Sequence, residues 1–151
     1  MIFLSSLLAV SFIAVPGVVS DRATMPHLAQ SNADPYSDWI FLYEDTFEGA
    51  SGAEVTQRWW LNPSFSRQGE TLRFQLLARR QPVSDNGTAA GQFDYITDCT
   101  SLSYALEQAS FLDADNRILD SQTYRSSMQP ATPEMPIHSV LSDLCLGVYG
   151  N

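Results

Sequence analysis

Cys99 and Cys145 are the only two cysteines in the chain, and they set the tightest limit on its fold. In an oxidising compartment such a pair is most simply one disulfide. Closing the long loop between them would stabilise the folded state by about 4 kcal/mol in the chain-entropy account. The N-terminus points to that compartment. Ile2 to Val15 is an uncharged run of Ile, Phe, Leu, Ala, Val and Ser. Pro16-Gly17, then Val18-Val19-Ser20 and the polar Asp21-Arg22 follow. That order matches the apolar segment and cleavage site of a secretory signal, and the run is short for a membrane span of about 20 residues. Residues 1–20 are therefore expected to be a signal peptide. The exported chain would act in the periplasm or outside the cell. No Cys stands near the expected cut to accept a lipid, so no membrane anchor is expected in the mature chain. A metal site would need two more ligands, and His27 and His138 are poorly placed for it. No metal and no cofactor are expected.

The formal net charge is −9, and all eight basic residues are Arg. Phosphate recognition needs clustered Lys and Arg, so the charge argues against anionic lipid surfaces, and no nucleic-acid partner is expected. The absence of Lys excludes Schiff-base chemistry on a lysine. Acidity of this order also serves solubility. The length left after residue 20 suits one domain with its own core.

Residues 21–37 are rich in Ala, Ser, Asn, Asp and Pro and are expected to be a flexible leader. A domain is expected over 38–151. Trp39 to Tyr43 has strand composition. Residues 58–66 and 71–79 flank Gln68-Gly69-Glu70 and predict an antiparallel hairpin. Pro63 marks an edge or an end of its first strand. In the second strand Leu72, Phe74, Leu76 and Ala78 share one side, and Thr71, Arg73, Gln75 and Leu77 the other. Phe93 to Cys99, Leu102 to Leu112 and Arg117 to Ser121 are further strands, with a turn at Asp113 to Asn116. The broken alternation at Phe111-Leu112 predicts a bulge. Ile137, Val140, Leu141, Leu144 and Cys145 recur at helical spacing. Thr132 is the expected cap, Pro133 the first helical residue, and Gly147 the stop. The expected fold is α+β: an antiparallel sheet of five or six strands, with one C-terminal helix packed on it and tied to it by the disulfide.

Tyr95-Ile96-Thr97-Asp98-Cys99, the strand with Tyr104, the turn at Asp113 to Asn116, and Gln129-Pro130 before a helix ending in Cys145 resemble the surface-adhesin protein E-like domain of Gram-negative bacteria. Trp39-Ile40-Phe41 and Phe65 to Phe74 are similar to its first strands. The resemblance covers residues 38–146. It implies an antiparallel sheet with a C-terminal helix and joined cysteines. Its founding members are surface lipoproteins that bind host matrix and serum proteins. It therefore implies a non-catalytic protein that contacts a macromolecular partner, a protein of unknown identity. Neither the lipid-accepting Cys nor any Lys for kringle-type docking is carried over.

Two other readings stand beside it: a periplasmic enzyme or small-ligand protein, and a homodimer through an exposed sheet face. For the first, His138, Ser142 and Asp143 lie close on the helix, but no G-x-S-x-G elbow accompanies them. Asp113-Ala114-Asp115-Asn116 lacks the Gly and distal Glu of a calcium loop. Asn86-Gly87-Thr88 matches a glycosylation acceptor by chance composition. The catalytic set is therefore read as none. The residues singled out as a contact surface are Trp59, Trp60, Arg79 and Arg80. Adjacent Trp59 and Trp60 must point to opposite sides of a regular strand, and Arg79-Arg80 is the one basic pair.

Overall fold

The structure, a computed structural model, describes residues 34–150. The expected signal peptide and most of the expected leader lie outside the described residues. The elements are β1 (Ile40–Glu48), β2 (Glu54–Leu61), β3 (Ser66–Gln68), β4 (Thr71–Gln81), β5 (Ala90–Asp98), β6 (Ser103–Leu112), β7 (Ile118–Thr123), β8 (Gln129–Pro130) and α1 (Pro136–Cys145). Six strands run in the order β1-β2-β4-β5-β6-β7, while β3 pairs with β4 and β8 with β6. Every pairing is antiparallel. This is the expected sheet with one C-terminal helix, extended by two short strands.

The predicted hairpin forms, but its first arm is split. β2 and β3 both pair with β4, and Pro63, which has no N–H to donate, lies in the gap between them. Gln68 pairs with Thr71 across a two-residue turn. Gly69 takes the first turn position at φ 63°, a conformation that costs glycine little. The predicted irregularity at Phe111-Leu112 is a register shift against β7. A second shift sets Asp94 opposite Gln108 and Tyr95 opposite Leu106, so Glu107 is the extra residue of a bulge.

The main core follows the alternation of β4. Leu72, Phe74 and Leu76 join Leu61 on one side of the sheet and meet Val140, Leu141 and Leu144 of α1. A smaller core of Leu77, Ala90 and Leu112 lies on the other side, where Tyr36, Trp39 and Trp60 pack on it. Residues 34–39 form a turn there, with Ser37 N–H donating to Asp34 O at 3.0 Å and Trp39 N–H to Tyr36 O at 3.1 Å.

The helix starts later than expected. Met135 is its N-cap, Pro136 opens it, and no side chain caps it. Thr132 is therefore not the cap. Pro136 has no N–H, so it cannot make the bond back to residue 132 that an earlier start requires. Thr132 O instead accepts Met135 N–H at 2.9 Å, closing a separate turn. The stop is as expected: Gly147 has φ 75°. Val148 N–H donates to Asp143 O at 2.9 Å and Gly147 N–H to Leu144 O at 3.1 Å, the paired bonds of a Schellman end.

Cys99, one residue past β5, and Cys145, the last residue of α1, form the predicted disulfide, with Cα atoms 5.5 Å apart. Cys99 N–H donates to Glu70 O at 2.8 Å. Arg67 Nη1 donates to Cys145 O at 3.2 Å. The negative end of the helix is thus held by a covalent bond and a guanidinium, both anchored near the β3–β4 turn.

Candidate contact face

Strand alternation divides the four expected contact residues between the two faces of the sheet. Trp59 stands opposite Ala78 and Arg80 opposite Gln57, on the face that carries the helix. Trp60 stands opposite Leu77 and Arg79 opposite Arg58, on the other face. The four do not form one patch.

Trp59 belongs to the interior of the helix-bearing face. Its ring stacks on Tyr43 at 6.0 Å and on Phe93 at 5.8 Å between centroids. Small Ala78 lies between the strands of Trp59 and Phe93 and leaves room for this contact. Phe93 in turn lies over Gly91, where a Cβ would sit 2.7 Å from its Cζ. Trp59 Nε1 is buried without a hydrogen-bond partner among the described residues. Burial pushes the phenols of Tyr43 and Tyr95 on this face up to about 12. Arg80 is turned to the β4–β5 loop, donating to Pro82 O at 3.1 Å.

The opposite face presents a different chemistry. Trp60 packs edge-on to Phe41 at 5.8 Å, and Phe41 is 55% exposed. Arg58 binds Glu44, with Nε to Oε2 at 2.5 Å. Arg79 Nη2 lies 2.9 Å from Asp34 Oδ1, and its guanidinium sits 5.3 Å over the Tyr36 ring. Tyr36 donates to Gln92 Oε1 at 3.3 Å. Burial raises the Tyr36 phenol, although Arg79 pulls in the opposite sense. An open cleft of about 250 Å³ lies between Arg58, Trp60, Arg79 and Val83.

Further along this face comes a row of polar side chains. Asn62 Nδ2 donates to Gln75 Oε1 at 2.7 Å, and Gln75 Nε2 donates to Asp94 Oδ1 at 2.5 Å. Asp94 is in register with Gln108, and Gln108 with Thr123. Five polar side chains thus stand side by side across the sheet. Arg73 and Glu107 pair beside them at 3.2 Å. An open groove of about 490 Å³ is lined by Gln75, Asp94, Gln108 and Thr123 of this row, together with Ser64, Ser66 and Arg73.

The remaining sequence candidates have local roles. Asp143 accepts from Tyr149 at 3.3 Å. No hydrogen bond joins His138, Ser142 and Asp143 among the described residues. Asp113 Oδ1 accepts the N–H groups of Asp115 and Arg117, both at 2.9 Å, and so shapes the β6–β7 turn. Asn86 Oδ1 accepts from Ser84 Oγ and Thr88 N–H inside the β4–β5 loop. Among the described residues no group of three His, Cys, Asp or Glu side chains is placed to hold a metal ion. None of the described helices is long and apolar enough to cross a membrane.

Sequence reasoning missed Arg58, Phe41, Asn62, Asp94 and Gln108. A period-two reading from Trp60 would have found Arg58 and Asn62 two residues away on either side. Asp94 and Gln108 needed the strand register. A scan against family models, a search of the curated proteins and a search of the solved structures return no match.

Proposed function

We propose that this is an exported, non-catalytic binding domain that engages a macromolecular partner at the cell envelope or outside the cell through the sheet face opposite the helix. The single observation that carries the reading is the grouping of Trp60, exposed Phe41 and the Arg58–Arg79 pair on that face. Trp, Tyr and Arg are the residue types that dominate contact energies when they sit together in a partly desolvated patch. A rigid sheet backs them, and the helix and disulfide occupy the other side. The disulfide supports a place outside the reducing cytoplasm. The resemblance of residues 38–146 to protein E-like domains agrees with a contact role.

The test is retention of the purified domain on isolated envelope material. The double variant Phe41→Ser/Arg58→Ala is expected to lower retention about tenfold or more, as loss of a hot-spot pair does. Ser139→Glu, on an exposed helix position, is expected to leave it unchanged. Equal retention of the two variants contradicts the proposal.

A further inference from the structure

Resting on that contact-face reading, we propose that the polar row Asn62, Gln75, Asp94, Gln108 and Thr123 is a binding site for a neutral saccharide chain laid across the strands. The row is continuous. Asn62 N–H bonds to Gln75 O, Gln75 stands opposite Asp94, Asp94 opposite Gln108, and Gln108 opposite Thr123. Five strand positions about 4.8 Å apart make a floor of about 19 Å. That spacing is close to the repeat of a pyranose chain. An extended peptide, at about 3.3 Å per residue, falls out of step with it.

The chemistry suits adjacent hydroxyls. Each hydroxyl is both donor and acceptor, and planar amides and carboxylates supply the complement side by side. The orientations are already set. Gln75 accepts from Asn62 and donates to Asp94. Gln108 spends its Nε2 on Ser121 Oγ at 3.2 Å, and its carbonyl oxygen has no hydrogen-bond donor among the described residues. Asp94 keeps a second carboxylate oxygen, and Thr123 offers a hydroxyl. Trp60 stands two residues before Asn62 on the same side of the sheet, beside the Asn62 end of the row and outside the groove lined by Gln75, Asp94, Gln108 and Thr123. The groove carries no excess positive charge, because Arg73 is paired with Glu107 and Asp94 is itself an anion. An anionic chain is therefore disfavoured and a neutral one fits.

The test is titration of the nitrogen-labelled domain with cellohexaose, chitohexaose and maltohexaose, read by NMR at the side-chain amides of Asn62, Gln75 and Gln108 and the Trp60 indole. At least one saccharide is expected to shift these signals saturably below about 10 mM, the weak end of specific binding. Gln108→Ala and Thr123→Val should each weaken binding about fivefold, the worth of one hydrogen bond. Gln57→Ala, on the helix-bearing face, should leave it unchanged. No saturable shift with any of the three, or shifts indifferent to both variants, overturns the saccharide assignment. A protein partner whose capture depends on Phe41 and Arg58, with no saccharide response, overturns this inference alone and leaves the contact-face reading intact.

Discussion

Arg58 and Arg79 stand directly opposite each other on neighbouring antiparallel strands, two like charges in register. Such a pair is destabilising by itself. Each guanidinium is therefore met by a different carboxylate, Glu44 from β1 and Asp34 from the turn before it. The arrangement fastens residues 34–39 to the sheet and keeps two cations beside Trp60. A double-mutant cycle on Asp34→Ala and Arg79→Met should give a coupling of about 0.5–1 kcal/mol at low salt, shrinking as salt is added. No coupling at low salt would remove Asp34 from this role.

The disulfide joins the end of α1 to the end of β5 across a sequence separation of 46. The double variant Cys99→Ser/Cys145→Ser should lose about 4 kcal/mol in denaturant unfolding. Adding a reductant to the native protein should give the same loss. An unchanged midpoint in both would show that packing alone holds the helix.

Tyr95 is partly buried among aromatic rings, and that burial is the main reason its phenol rises from 10.0 to about 12. A phenol raised on folding stabilises the protein fully below its unfolded value. The contribution then fades as pH climbs through the folded one. Stability should therefore hold to about pH 10 and fall between pH 10 and 12, by about 3 kcal/mol from this group. Tyr95→Phe should flatten that part of the curve. A curve identical to the parent would contradict the assignment.

Gly91 leaves space for the Phe93 ring, which stacks on Trp59. Gly91→Ala should displace the ring, cost about 1–2 kcal/mol and change the near-ultraviolet signal of Trp59. Adding Phe93→Leu should recover part of that loss. Additive costs in the double variant would mean that the two residues do not compete for the space.

Much of this fold was legible because burial obeys simple periods. The alternation of Leu72, Phe74 and Leu76 gave the core side of β4, and the spacing of Val140, Leu141 and Leu144 gave the buried side of α1. Cys145 on the helix and Cys99 after a strand then implied the bond that closes them. The length of β1 was hidden, because Glu44 to Glu48 on this edge strand are all exposed and carry no alternation. The helix start was misread because Thr132-Pro133 has the composition of a cap. Pro136, which lacks an N–H, decides the matter. The candidate site was only half visible. Parity separates Trp59 from Trp60 but does not say which meets the helix; that depends on the pairing of β2 with β4. The polar row was out of reach, because five strands and the bulge at Glu107 must be aligned before Gln75, Asp94 and Gln108 become neighbours.

The proposed function requires that a partner meet the face opposite the helix. Photo-crosslinking in living producer cells tests it most directly, with the reactive residue placed at Phe41 in one strain and at Ser139 in another. A discrete adduct is expected from position 41 and none from position 139. An adduct from position 139 alone, or the same adducts from both, would contradict it.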